Sequence, residues 1–347
     1  MLIDRNTFSL KKILNRYKGV TSYKRGASIN TGYPVEAILE ITNYCNLACI
    51  MCPRENMTRP LGFMKINLFK KIIDEVKNYI EWVDLSGGLG DPMLHPEYPE
   101  MVKYAKKNNV RIGISTNAAM FTKRHIDTLL DLQPDIIRLS LDGATKETHE
   151  KIRVGSKFEK TMAMVENFVI EKEKRNLKKP YVVCQMVYMP ENKKEADAFQ
   201  KKWNSFSAVD DTRLKKYMNL YGANQGPEEA EEDHSKLSCI LPWRQLSVHY
   251  DGAITICCRD TDSKVIVGNV TDVSVKEVWN SPQMIEYRNN LSNEQKSKIS
   301  VCKDCNTIKT NSITRLGAIL VDAYSIRKML PYLEKLVLKT GVPLDYE

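Results

Sequence analysis

Apolar and polar positions along this chain fall into two alternating periods. Short runs rich in apolar and β-branched residues at Ala37–Thr42, Trp82–Leu85, Arg111–Ser115, Asp135–Leu141, Tyr181–Tyr188 and Thr212–Tyr217 read as strands. Between them lie stretches with helical spacing, at Leu68–Ile80, Tyr98–Lys107, Thr122–Leu132, Phe158–Arg175 and Lys193–Ser205. Leu68, Ile72, Val76 and Ile80 form one apolar stripe, and Thr122 is placed to cap the third helix. Six strands alternating with helices predict an α/β protein with a parallel, curved sheet.

After Tyr217 the pattern breaks. Gly222 to Pro227 is rich in turn residues and Glu228 to Asp233 is an acidic run, so residues 221–236 read as a linker. Strand character returns around Gln245–Ile256, and residues 311–347 read as a helical tail. No internal repeat is visible. The expected organisation is therefore an N-terminal extension (1–36), a strand–helix domain (37–220), the linker (221–236), a cysteine-bearing domain (237–310) and the tail.

The 347 residues are 42% hydrophobic and 27% charged, an ordinary globular mix that allows one large core and a smaller one. No apolar run reaches membrane-spanning length, and charges interrupt Phe8 to Tyr23, where a signal core would lie. The expected location is the cytoplasm, with no membrane partner. The net charge of +9 is partly carried by Arg5, Lys11, Lys12, Arg16, Lys18, Lys24 and Arg25. These residues read first as a solvated, loosely held extension, and second as a docking face for an acidic electron donor. No stacking aromatics are interleaved with them, so nucleic acid is not an expected partner.

Nine cysteines without a secretion signal point to metal or catalytic chemistry rather than disulfides. Cys45, Cys49 and Cys52 lie within eight residues, directly after the first strand. Three thiolates on a four-iron cube leave one iron free to bind a small molecule. Structural zinc with a fourth ligand from elsewhere, or buried core thiols, are the plainer alternatives. The C-x3-C-x2-C spacing, with Tyr44 before the first cysteine, resembles the radical S-adenosylmethionine (SAM) superfamily. That resemblance covers residues 37–310 and implies a partial (β/α)6 TIM barrel. Its site residues are expected at the C-terminal ends of the strands.

Further segments resemble the SAM site of that family. Ser86 to Pro96 is similar to its Gly-Gly-Glu-Pro loop, with Gly90 and Asp91 over the Gly-Glu pair and Gly88 preceding them. Asp here replaces Glu, and Leu89 stands where the first Gly is usual. Ser115 and Asn117 end the third strand with groups suited to a ribose or to the methionine end of SAM. Ser140 and Asp142, in Ser140 to Gly143, resemble a Ser-x-Asp-Gly segment whose Ser meets SAM. Arg153 resembles the Arg that binds the SAM carboxylate, which a guanidinium fork suits. Strand-end caps and a surface charge are the plain readings of the same residues.

Cys239, Cys257, Cys258, Cys302 and Cys305 form a second constellation. It resembles the SPASM/twitch extension of radical SAM enzymes, in the shorter twitch form with one auxiliary [4Fe–4S] cluster and a β-hairpin plus helix. The spacing from Gly252 favours Cys257 over Cys258 as ligand, beside Cys239, Cys302 and Cys305. A four-cysteine zinc ribbon is the alternative. Cys258 is then a packed thiol or a hydrogen donor near the substrate, and Cys184 reads as core.

The resemblance implies two [4Fe–4S] clusters and SAM as cofactors, and a flavodoxin- or ferredoxin-type electron donor. It implies reductive cleavage of SAM to a 5′-deoxyadenosyl radical that removes hydrogen from a small-molecule substrate. Resemblance to aminocyclitol dehydrogenases makes oxidation of a secondary alcohol of a sugar or aminocyclitol the leading expectation, with the auxiliary cluster accepting the electron. Redox-neutral epimerisation or dehydration, peptide modification, and a non-catalytic scaffold are the alternatives. Glu40, Gln185 and Arg213, on strands, and Arg259 and Asp260, after Cys257, are the candidate substrate residues, Arg213 and Cys258 being the catalytic candidates.

Overall fold

The strand register sets the architecture. The computed structural model describes residues 9–87, 89–217, 239–303 and 305. All belong to the first of two units of the chain, Met1–Thr307. The expected linker and tail lie outside the described residues. Strands β1 (Glu36–Leu39), β2 (Trp82–Asp84), β3 (Arg111–Thr116), β4 (Ile136–Ser140), β5 (Tyr181–Tyr188) and β6 (Asp211–Lys216) pair in sequence order, each parallel to the next. This is the parallel sheet of a partial strand–helix barrel, as expected.

The connecting helices are α2 (Ile66–Val76), α3 (Tyr98–Lys107), α4 (Lys123–Leu132), α5 (Lys146–Ile152), α6 (Phe158–Lys174) and α7 (Ala196–Asn204), preceded at the N-terminus by α1 (Leu10–Lys24). Thr122 caps α4 by accepting from the His125 amide, as its position predicts. Lys193–Glu195, expected as the first turn of the last helix, is a 3-10 turn. The strand β1 stops at Leu39, three residues early, because Glu40 turns to bridge Ser86 and Thr42 to bridge Phe63.

The two faces of the parallel sheet differ in chemistry. Ala37, Leu39, Val83, Ile112, Ile114, Ile137, Leu139, Val182, Cys184 and Met186 are buried in the core under the helices. Successive strand residues point to opposite faces. The other face therefore carries Glu36, Trp82, Asp84, Arg111, Arg138, Gln185, Arg213 and Lys215. Parallel sheets are usually apolar on both faces. A charged inner face marks the side on which a ligand is received.

The segment around β7 (Gln245–Val248), β8 (Ala253–Thr255) and β9 (Ile266–Asn269) continues the same sheet. Strand β7 pairs parallel to β1, and β8 and β9 follow as antiparallel neighbours. The sequence pattern shows a hairpin here but not its attachment to β1, which joins residues more than 200 apart. Helices α8 (Leu241–Arg244), α9 (Val275–Trp279) and α10 (Pro282–Ser292) pack around it.

The N-terminal segment corrects an expectation. From residue 9 it is packed, not loosely held. Asn15 and Ser22 on α1 are buried, and Lys12 is buried with its Nζ donating to the Asn109 carbonyl at 3.1 Å. The Nε of Arg16 donates to Glu81 at 2.9 Å. Tyr33 stacks on Tyr79 with ring centres 4.4 Å apart. The indole N–H groups of Trp243 and Trp279 donate to the carbonyls of Ala27 and Gly32, both at 2.8 Å. The segment thus ties the barrel to the cysteine-bearing region, and its Lys12 and Arg16 are spent on packing rather than free for an acidic partner. No helix among the described residues is long and apolar enough to cross a membrane.

Candidate active site

The loops after β1, β2, β3 and β4 meet at one end of the sheet. The loop bearing Cys45, Cys49 and Cys52 is pinned by backbone bonds from Ala48 to Val154 (2.9 Å) and from Ile50 to Ile152 (3.0 Å). Asn43, fully buried, secures the following loop through Pro60 and Gly62, both at 2.8 Å. The ring of Tyr44 stacks on Phe63, 4.7 Å between centres. Gly90 passes so close to this loop that a Cβ there would stand 2.0 Å from the Thr42 carbonyl oxygen.

Burial pushes all three thiols above their ordinary values, Cys49 up to about 11. The thiols also repel one another as they ionise, so they share one neighbourhood. Arg153 opposes the rise at Cys49, its Nη1 lying 3.9 Å from the sulfur. Asn117 Nδ2 stands 3.7 Å from Cys45 Sγ. Three thiols in a shielded pocket with N–H donors aimed at two of them are a donor set that needs a bound cationic centre to hold its thiolates. The donor set fits an iron–sulfur cluster.

The other predicted residues gather at this place with altered roles. Asp91 is buried, and its carboxylate accepts from the Met93 amide (3.0 Å), the Thr116 hydroxyl (2.9 Å) and the Asn117 amide (2.8 Å). It therefore locks the β2 and β3 loops together. Gly88 lies outside the described residues. Asn117 faces Cys45 and Asn46. The hydroxyl of Ser86 donates to the Ser115 carbonyl at 3.2 Å. Ser140 Oγ accepts from Gln185 Nε2 at 2.8 Å, while Gln185 Oε1 is buried without a partner. Arg153 is paired with Asp142 at 2.6 Å, and its Nε is buried with no acceptor among the described residues. Asp142 also accepts from the Val187 amide at 2.7 Å, so it is an anchor for Arg153.

Several candidate substrate residues prove structural. Glu40 is fully buried and bound twice by Arg59, at 2.8 and 2.7 Å. Arg59 Nε also donates to the Thr261 carbonyl at 2.9 Å, and the Thr58 amide to Asp262 at 2.7 Å. This network ties the loop after the three cysteines to the C-terminal region. Asp260 is buried and caps the amides of Lys264 and Val265. Arg259 follows Cys257, its amide 3.5 Å from that sulfur. Cys184 is core, as expected. Arg213 stays on the inner face, paired with Asp211 at 2.7 Å.

At the second site, Cys239, Cys257, Cys302 and Cys305 act on one another electrostatically. Burial pushes Cys302 up to about 12 and Cys239 well up. Cys257 is pulled down to about 7 by the hydrogen bond from Cys258. Cys258 in turn is affected by Arg259 and Glu36 rather than by the other cysteines of the set, apart from Cys257. Cys257 thus shares its surroundings with Cys239 and Cys302, whereas Cys258 is influenced chiefly by Cys257 itself. Four shielded thiols in one neighbourhood again fit a cluster. Among the described residues no three of His, Cys, Asp and Glu stand close enough to hold a single metal ion. Cluster ligands sit on separate irons and stand farther apart.

Residues 39–201 match the radical SAM superfamily, and residues 239–306 match SPASM, an iron–sulfur cluster-binding domain. The tungsten-containing aldehyde ferredoxin oxidoreductase cofactor-modifying protein of Pyrococcus furiosus is 32% identical over 162 residues, covering 45% of this chain and 44% of that protein. The chain thus spans less than half the length of that relative. The crystal structure of BtrN in complex with AdoMet and 2-DOIA superposes with a TM-score of 0.56 at 17% identity, over 79% of this chain and 94% of that one. Streptococcus suis SuiB bound to precursor peptide SuiA gives a TM-score of 0.61 at 15% identity, over 80% and 71%.

Proposed function

The chain carries a radical SAM domain, which binds a [4Fe–4S] cluster and SAM, followed by an iron–sulfur SPASM domain, and we propose that it oxidises a secondary alcohol of a small sugar-like or aminocyclitol substrate. Cys45, Cys49 and Cys52 would hold the SAM-cleaving cluster, and Cys239, Cys257, Cys302 and Cys305 a single auxiliary one. When bound, these groups supply the electron that cleaves SAM and take up the electron left on the substrate. A flavodoxin- or ferredoxin-type protein is the proposed donor.

The chain's own residues do the positioning. Asn117 and Arg153 direct N–H groups at the sulfurs of Cys45 and Cys49. Arg153 Nε, a buried donor in need of an acceptor, is suited to the SAM carboxylate. The close approach at Gly90 leaves backbone carbonyls to meet the SAM ammonium. Gln185 and Ser140 project from the inner face, where the substrate is held against the cleaved cosubstrate and shielded from water.

The observation that carries the reading is the parallel pairing of β7 with β1. It joins the sheet of the cysteine-bearing region to the barrel sheet, which supports an electron acceptor within reach of the substrate face. A fully ligated cluster has no iron for substrate, which suits electron transfer. Epimerisation would need Cys258 or Cys184 as hydrogen donor, and Cys184 is disfavoured because it lies on the helix-covered face. Peptide modification is the second reading, favoured by the likeness to SuiB, solved with its precursor peptide. Anaerobic assays with candidate alcohols distinguish them: oxidation yields one 5′-deoxyadenosine per ketone. Solvent deuterium appearing at carbon with no ketone formed would overturn the reading.

A further inference from the structure

The inner face of the sheet holds a lysine with no carboxylate paired to it among the described residues. Arg138 on β4 is paired with Asp84 on β2 at 2.6 Å. Arg213 on β6 is paired with Asp211 at 2.7 Å. Arg153, beyond α5, is paired with Asp142 at 2.6 Å. Each of these three guanidinium groups thus has its own carboxylate. Lys215, two residues beyond Arg213 on the same strand, has none among the described residues.

Strand alternation puts Lys215 on the face of Arg213, in register with Val187 of β5, while Leu214 between them points outward. The charges that act on Lys215 define its surroundings. Arg138 and Arg213 repel it, and Asp84 and Asp142, both already paired, attract it. Burial lowers its affinity for a proton below the ordinary lysine range, with Arg138 and Arg213 adding to the effect and the two carboxylates opposing it. A half-buried ammonium held among guanidinium groups is costly unless a counter-charge joins it.

The floor of this face is also cationic. The guanidinium groups of Arg111 and Arg138 lie over the Trp82 ring, 5.7 and 5.5 Å from its centre. Trp82 itself covers Gly113, where a Cβ would stand 2.2 Å from the ring. Just above, Gln185 Oε1 is a buried acceptor without a donor, ready for a hydroxyl.

We propose that the substrate carries an oxyanion, a carboxylate or phosphate, which binds Lys215 between Arg138 and Arg213, while Gln185 receives a hydroxyl of the same molecule. The inference rests on the reading of this face as the substrate chamber and narrows the substrate class. Within the proposed class a sugar acid or sugar phosphate fits, and an aminocyclitol with a free ammonium, the other member of that class, is repelled.

Pulsed acylation tests it on the full-length, cluster-reconstituted protein with SAM, kept anaerobic. A brief exposure to N-hydroxysuccinimidyl acetate, followed by peptide mass spectrometry, reads the rate at each lysine. The probes share a hexose frame: gluconate, glucose 6-phosphate, neutral glucose and cationic glucosamine. Lys215 is expected to be acylated, and about tenfold more slowly once the fitting anion is at roughly ten times its dissociation constant. Whichever anion protects identifies carboxylate or phosphate as the group. Glucose and glucosamine leave the rate unchanged, as do exposed lysines under all conditions. Arg213→Met weakens the protection while the exposed lysines label as before. A Lys215 that is not acylated, that neither anion protects, or that glucosamine protects equally well overturns the proposal. Failure of the underlying radical reading is recognised separately, as wild-type protein that forms no 5′-deoxyadenosine from SAM and dithionite.

Discussion

Replacing Arg59 with Met tests the network that joins the cysteine loop to the C-terminal region. Arg59 is almost fully buried, holds both oxygens of fully buried Glu40, and donates to the Thr261 carbonyl. Removing one partner of a buried pair strands the other charge, at a cost of about 3–5 kcal/mol. Removing both changes the balance. Glu40→Gln combined with Arg59→Met leaves no stranded charge, so most of the loss is recovered, less about 1 kcal/mol for the Thr261 bond. The pH dependence has a definite sign. Burial raises the Glu40 pKa above its ordinary value even with Arg59 present. The folded state therefore holds a proton that the unfolded state releases. The stability from this group is full below the ordinary carboxylate range and falls as pH rises through the raised value. In Arg59→Met that value rises further, so the damage is greatest at neutral pH and shrinks on acidification. The assay is the urea midpoint of cluster-loaded protein, measured anaerobically at pH 7 and pH 5. A double variant as unstable as Arg59→Met, or a single-variant loss that grows on acidification, refutes the reasoning.

Two other substitutions discriminate within the sites. Cys257→Ala should lower iron from about eight to about four per chain, one four-iron cluster, while Cys258→Ala should keep about eight; equal iron in both would reverse the ligand assignment. Asp91→Ala strands the Thr116 and Asn117 donors, costing about 1–3 kcal/mol for each buried group left unpaired. Because it also frees the β3 loop beside Cys45, the KM for SAM in 5′-deoxyadenosine formation should rise; an unchanged KM would remove Asp91 from the positioning set.

Much of the fold is legible in the sequence because five strands, β1 to β5, repeat one device, a strand closed by a turn and followed by a helix. The cysteine spacings are legible for a similar reason: ligands near in sequence must be near in space. What escapes is set by long-range pairing. The bond of β7 to β1 links residues whose patterns give no register. The N-terminal helix looks like a basic tail until Lys12 and Arg16 find Asn109 and Glu81 across the fold. Asp91 and Asp142 look like ligand groups because they sit at strand ends. Their oxygens prove to be occupied by Thr116, Asn117, Val187 and Arg153. The charged inner face escapes as well, because Arg111, Arg138 and Arg213 stand on separate strands. Only the sheet register showed that Lys215 joins them without a carboxylate.

The most direct test of the account is 5′-deoxyadenosine formation from SAM and dithionite by anaerobically reconstituted wild-type and Cys49→Ala proteins, with iron measured on both. The wild type is expected to cleave SAM. The variant is expected to retain about four irons, those of the Cys239, Cys257, Cys302 and Cys305 set, and to form none. Cleavage by the variant at the wild-type rate, or none by a wild type carrying about eight irons, would contradict the assignment of the cysteine loop after β1 as the SAM-cleaving centre.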